Sequence, residues 1–141
     1  MENSTIPRGL FVLAKRARAR MEKIFPNSDD LSCYCGVASL YLAKCAKELG
    51  YSKVNFVMGI YCDSHYRVFE PNHCWCEIDN YIIDITATQF GIKKKVSITN
   101  TKNKDYMKLF SNKRAEKEFR NWPEEQQLKS YRKDLVRRGW L

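Results

Sequence analysis

Histidine is nearly missing from this chain, whose 141 residues include only 2. Any chemistry that needs an imidazole must draw on His65 or His73. Glycine and proline are also sparse, at 6 and 4, and nowhere gather into a linker. With no internal repeat either, a chain of this length is most economically one domain, residues 1–141. No apolar run approaches membrane-spanning length. The longest run near the N-terminus, Leu10 to Ala14, is too short for a signal peptide. The 6 cysteines therefore read as reduced thiols in a cytoplasm rather than as disulfides.

Acidic residues are the scarcer charge, 16 against 25 Lys and Arg. The resulting +9 is concentrated in residues 91–141, which hold 15 basic and 6 acidic side chains, while residues 1–90 balance. Such a field favours acidic partners, whether protein, nucleic acid or anionic lipid. A hydrophobic fraction of 44%, with 8 Tyr, 7 Phe and 3 Trp, marks a folded globule.

Periodicity supplies the elements. Leu10, Leu13, Ala14, Ala17, Met21 and Ile24 form the inner stripe of a helix over 8–25, with its arginines mostly outward. Val37, Ala38, Tyr41, Leu42, Cys45, Ala46 and Leu49 make a broad stripe over 35–49, and Gly50 is a natural stop. Residues 53–62 alternate as a strand, 63–72 read as a loop containing His65, and Val96–Thr99 as a short strand. Residues 102–120 fit a loop or one or two short helices. Pro123, Glu124 and Glu125 open a final helix that Gly139 stops.

The stretch from His73 to Thr86 reads as a β-hairpin. Two apolar runs flank Asp79-Asn80, a dipeptide suited to the positive φ angles of a two-residue turn. Facing residues then pair Ile78 with Tyr81 and Trp75 with Asp84. His73, Glu77, Ile82 and Thr86 share that side of the sheet, and His73 and Asp84 become diagonal neighbours roughly 7–8 Å apart. The plainer alternative makes His73 a half-buried strand residue and Asp84 a surface charge. An aspartate between Ile83 and Ile85, however, needs a partner to offset desolvation.

Upstream, Cys35 falls at a helix start, where orphan amides and the positive dipole end favour a thiolate and could bind an oxyanion. Cys33 competes for the same role from the approach loop, and Cys45 reads as a packed thiol. A cysteine, a histidine and an acid so placed are the parts of a thiol acyl-transfer site.

Cys35-Gly-Val-Ala-Ser-x-x-Leu, His73-x-Trp75-x-Glu77 and Asp84-x-Thr86-Ala87 with Gln89-Phe90 resemble the transglutaminase-like branch of the papain-like cysteine enzymes. The resemblance covers residues 33–90. It implies an α+β fold, a papain/transglutaminase-like core with N-terminal helices on a small antiparallel sheet and a C-terminal helix. It also implies Cys35 as nucleophile, His73 as base and Asp84 as the acid that orients it, with Trp75, Thr86 and Gln89 in support. The activities it implies are peptidase, glutamine deamidase or cross-linking on a protein or peptide substrate, with no cofactor. Asp29 stands where papain-type members carry an oxyanion-hole glutamine, which leaves that donor unassigned.

Two further readings compete. Cys33-x-Cys35 and Cys74-x-Cys76 suggest zinc, but structural sites space cysteines more widely, and alternation turns Cys74 and Cys76 away from His73. Tyr106, Phe110, Phe119, Trp122, Tyr131 and Trp140, interleaved with the C-terminal charges, could stack on nucleic acid. Such aromatics also serve as the buried side of helices.

Overall fold

The computed structural model describes residues 6–26, 34–63, 68–90 and 94–120. Helix α1 spans Arg8–Ile24 and α2 spans Cys35–Glu48. Strands β1 (Val54–Asp63), β2 (Val68–Ile78), β3 (Tyr81–Asp84), β4 (Ser97–Asn100) and β5 (Tyr106–Ser111) follow, and α3 covers Asn112–Arg120. The strands form one antiparallel sheet in the order β4-β3-β2-β1-β5. The α+β class is as expected. No helix among the described residues is long and apolar enough to cross a membrane.

The first two helices follow their apolar stripes. Leu10, Leu13, Ala14, Ala17 and Met21 of α1 are buried, as are Val37, Ala38, Leu42 and Ala46 of α2. They meet Phe56, Met58, Cys74, Cys76, Ile78 and Ile83 from one face of the sheet. Gly50, at φ +96, closes α2. The amides of Gly50 and Tyr51 return to the carbonyls of Lys47 and Ala46, the paired bonds of a Schellman stop. Leu49 departs from the stripe and is exposed, because it sits in this turn beyond the last helical residue. Arg18 departs in the other direction and is buried rather than outward. Its guanidinium donates to the Ile85 carbonyl (2.8 Å), the Thr88 hydroxyl (2.9 Å) and Glu22 (3.1 Å), which offsets the cost of burying the charge.

Two expectations for the middle of the chain fail. The loop over 63–72 is shorter than the sequence suggests, since β2 already begins at Val68, which pairs with Asp63. The strand pattern there is hidden by a bulge: Pro71 and Asn72 together oppose Ile60, between the pairs Tyr61–Glu70 and Gly59–His73. Residues 102–120 are not loop or helix throughout, because β5 occupies 106–111 before α3. As an edge strand it leaves Met107 and Leu109 exposed, so its apolar residues do not mark one buried face. His65, Asp29, Cys33 and the helix expected after Pro123 lie outside the described residues.

Val57, Tyr61, Trp75, Ile82 and Tyr106 form a second cluster on the opposite face of the sheet. Gly59 lets β1 and β5 close there. A Cβ at this position would overlap the Met107 carbonyl oxygen, a backbone atom that cannot swing aside. Gly59→Ala should therefore cost about 1–3 kcal/mol or more, read as a lowered denaturant midpoint.

Candidate active site

The hairpin register is the one the sequence specifies. Ile78 pairs with Tyr81, Glu77 with Ile82 and Cys76 with Ile83. The turn differs in detail: Asp79 takes φ +56, whereas Asn80 is not among the residues with positive φ. A single residue of positive φ at the first turn position still closes the hairpin in the same register. Continuing the same count sets Asp84 opposite Trp75 and brings it diagonal to His73.

The two side chains meet. His73 Nε2 lies 2.7 Å from Asp84 Oδ2, and both groups are fully buried. With the carboxylate ionised, Nε2 carries the donated proton, and Nδ1 is the ring nitrogen not engaged with Asp84. The β2 bulge falls immediately before His73. A bulge raises local twist and re-aims the adjoining side chain, which makes it a device for placing this ring.

Asp84 accepts from four donors. Besides His73, the Tyr106 hydroxyl donates to Oδ2 at 2.9 Å. The Thr86 amide and hydroxyl donate to Oδ1 at 2.9 and 3.2 Å. Burial pushes the Asp84 carboxyl up, but the His73 charge and hydrogen bond, then Thr86 and Tyr106, hold it below its ordinary value. A carboxylate with its acceptor sites filled in this way stays ionised and cannot rotate.

Tyr106 is the site residue that the sequence does not single out, standing there among aromatics suited to stacking on nucleic acid. Its ring is instead buried in the second cluster, and Phe119 is buried in the main core. Both findings favour the packing role over stacking, while Trp122, Tyr131 and Trp140 lie outside the described residues. The only sequence signal was a tyrosine opening a short apolar run. Nothing local pointed to a carboxylate three strands away in the sheet order. Tyr106→Phe should weaken the fold by about 1.5–3 kcal/mol, the range for a hydrogen bond to a charged group, measured by denaturant unfolding.

Cys35 is the first residue of α2, preceded by Tyr34 at φ −104 and ψ 8. Tyr34 makes no side-chain cap, and the first turn holds no acidic residue. The amides at this end have no partner within the helix, so a thiolate at Cys35 would supply a negative charge that complements them. Gly36 allows α3 to close over this end, since a Cβ there would overlap the Phe119 ring.

The Cys35 thiol is pushed down to about 5. The largest cause is a hydrogen bond from Cys74; burial opposes it, and the His73 hydrogen bond and charge add to the lowering. For His73, burial alone would pull the imidazole down. The charge and hydrogen bond of Asp84, followed by those of Cys35, outweigh it and raise the ring to about 10. Both shifts run in the direction that favours a thiolate at Cys35 with a protonated His73. Cys74 remains a neutral donor, pushed well above the ordinary thiol value by burial and then by Cys35.

The other thiols differ. Cys76 donates to the Ser39 carbonyl at 2.9 Å and is held up chiefly by burial. Cys45 is half-buried and raised by desolvation, as suits a packed thiol. Cys74 and Cys76 do point to the helix side of the sheet, away from Trp75. The described residues include no group of three His, Cys, Asp or Glu side chains able to hold a metal ion.

Aromatic rings enclose the pair. Tyr61, Trp75 and Tyr106 lie 6.0, 5.9 and 6.4 Å from the His73 ring. They keep water from competing for the His73–Asp84 bond, and Trp75 itself is fully buried. Thr86, expected in support, fixes one carboxylate oxygen of Asp84. Gln89 lies in the short 3-10 turn Ala87–Phe90, and its side chain lies outside the description. Cys35 keeps 5% of its surface exposed while His73 has none.

Comparison of the chain with family models, curated proteins and solved structures gives no match.

Proposed function

We propose that the protein is a thiol-dependent acyl-transfer enzyme that cleaves or modifies an amide in a protein or peptide. The observation that carries this reading is the buried 2.7 Å bond between His73 and Asp84, set beside a depressed thiol at a helix mouth. The sequence resemblance to the transglutaminase-like branch of the papain-like cysteine enzymes supports the same assignment.

In this mechanism the Cys35 thiolate attacks the substrate carbonyl carbon. The resulting oxyanion is stabilised by amides at the start of α2. His73 gives a proton to the leaving amine as the carbon–nitrogen bond breaks, leaving a thioester on Cys35. Asp84 holds the imidazole in the tautomer that exposes Nδ1 and stabilises its charged form. Neutral His73 then takes a proton from water as the water oxygen attacks the thioester carbon; the carbon–sulfur bond breaks, returning the Cys35 thiolate and releasing the acid in peptidase or deamidase chemistry. An acceptor amine in place of water gives cross-linking. We place the reaction in a cytoplasm, with acidic substrates favoured by the +9 charge.

The same charge supports a second reading, a non-catalytic basic module for an acidic protein or nucleic acid. The two are separated by incubating wild-type and Cys35→Ala protein with glutamine-containing peptides and quenching in acid for intact-mass analysis. The enzyme reading expects a peptide thioester on Cys35, absent from the variant, together with cleaved, deamidated or joined products. Unchanged peptides and no adduct, with salt-sensitive binding that survives Cys35→Ala, would instead support the binding module.

A further inference from the structure

β4 is a terminal strand of the sheet, so one edge of its backbone has no strand neighbour among the described residues. The direction of its amides follows from the register. In a two-residue hairpin the closing pair, Ile78 and Tyr81, exchanges hydrogen bonds, which turns Ile82 and Asp84 toward β4. Their partners Thr99 and Ser97 bond inward, as does Thr101, whose amide reaches the Asn80 carbonyl at 3.1 Å. Ile98, between them, presents its N–H and C=O outward.

That outer edge borders a groove of about 620 Å³ between β4 and α1, within the size range of ligand sites. Phe11, Val96 and Ile98 give it apolar walls, and Lys15, Lys94 and Lys95 stand around it. Phe11 is 38% exposed, with the Lys15 ammonium 4.9 Å from its ring centre. The groove's one carboxylate among the described residues, Glu22, is already taken by Arg18 at 3.1 Å and Lys95 at 2.9 Å.

We propose that this groove binds an extended acidic peptide, which adds to β4 as a further strand. The outward N–H and C=O of Ile98 match a peptide backbone, which both accepts and donates; a nucleic acid offers no such ladder. Alternate side chains of the added strand would lie against Phe11 and Ile98, and acidic ones would reach the three lysines. Lysines near an edge also deter self-pairing, but that role requires no open apolar wall between strand and helix. The proposal stands whether or not Cys35 is catalytic. If it is, the groove is a substrate-docking site one strand removed from Asp84, since Ser97 pairs with that residue.

The test is fluorescence polarisation with a dye-labelled peptide alternating glutamate with valine. Binding should weaken about tenfold or more in the double variant Lys15→Glu, Lys95→Glu, and stay unchanged in Cys35→Ala. Methylating backbone nitrogens at one set of alternate peptide positions should abolish binding, while methylating the other set should spare it. Absence of binding, equal tolerance of both methylation sets, or equal displacement by an oligonucleotide of matched charge would overturn the proposal.

Discussion

Asp84→Asn is expected to slow formation of the Cys35 thioester by about four orders of magnitude, the scale seen when an orienting aspartate is amidated in a hydrolytic triad. The asparagine oxygen can still accept from the Thr86 amide and hydroxyl, which donate to Oδ1 in the wild type. Its NH2 group then faces the two donors at Oδ2, His73 Nε2–H and the Tyr106 hydroxyl. The hydroxyl can turn and accept. The imidazole can do so only by moving its proton to Nδ1, the position that must receive the thiol proton. Asp84→Ala removes all four acceptor interactions from a buried site and takes the counter-charge from His73, so it should also cost about 3–5 kcal/mol of stability. Single-turnover acylation and urea unfolding on the two variants separate these effects. Near-normal acylation in Asp84→Asn would remove the carboxylate from the mechanism.

The second large effect is on stability against pH. Cys35 is lowered to about 5 in the folded chain, against about 8.5 in an unfolded one. Its contribution is therefore complete above about 8.5 and is lost as pH falls through about 5. His73 is raised to about 10, against about 6.5 unfolded. Its contribution is complete below about 6.5 and is lost as pH rises through about 10. Together they give a plateau between about 6.5 and 8.5, where folded and unfolded chains bind equal numbers of protons at this pair. Stability should fall on both flanks. In the double variant Cys35→Ala, His73→Ala those two slopes should flatten, as read from melting temperature across the pH range. Flanks unchanged in the double variant would place their origin elsewhere in the molecule.

The resting geometry explains why the site was partly legible in the sequence. A hairpin carries its own register, because a two-residue turn and strict alternation leave no freedom in which residues face each other. His73 and Asp84 could therefore be paired from spacing alone, and Cys35 could be placed by the helix that starts there. Tyr106 could not, since the β1–β5 contact that delivers it depends on a register shift at Gly59 and on an edge strand with exposed apolar residues. Arg18 looked like a surface charge because its acceptors, Ile85 and Thr88, lie more than sixty residues away. The bulge before His73 was hidden as well, because Pro71-Asn72 reads locally as loop chemistry while the backbone on either side stays in the ladder.

The central claim is that Cys35 rests as a thiolate beside a charged His73. Ultraviolet titration of the thiolate, taken as the difference between wild type and Cys35→Ala, measures it most directly. The account predicts a midpoint near 5, displaced upward by His73→Ala and by Cys74→Ala. A midpoint near the ordinary thiol value of about 8.5, indifferent to both substitutions, would contradict it.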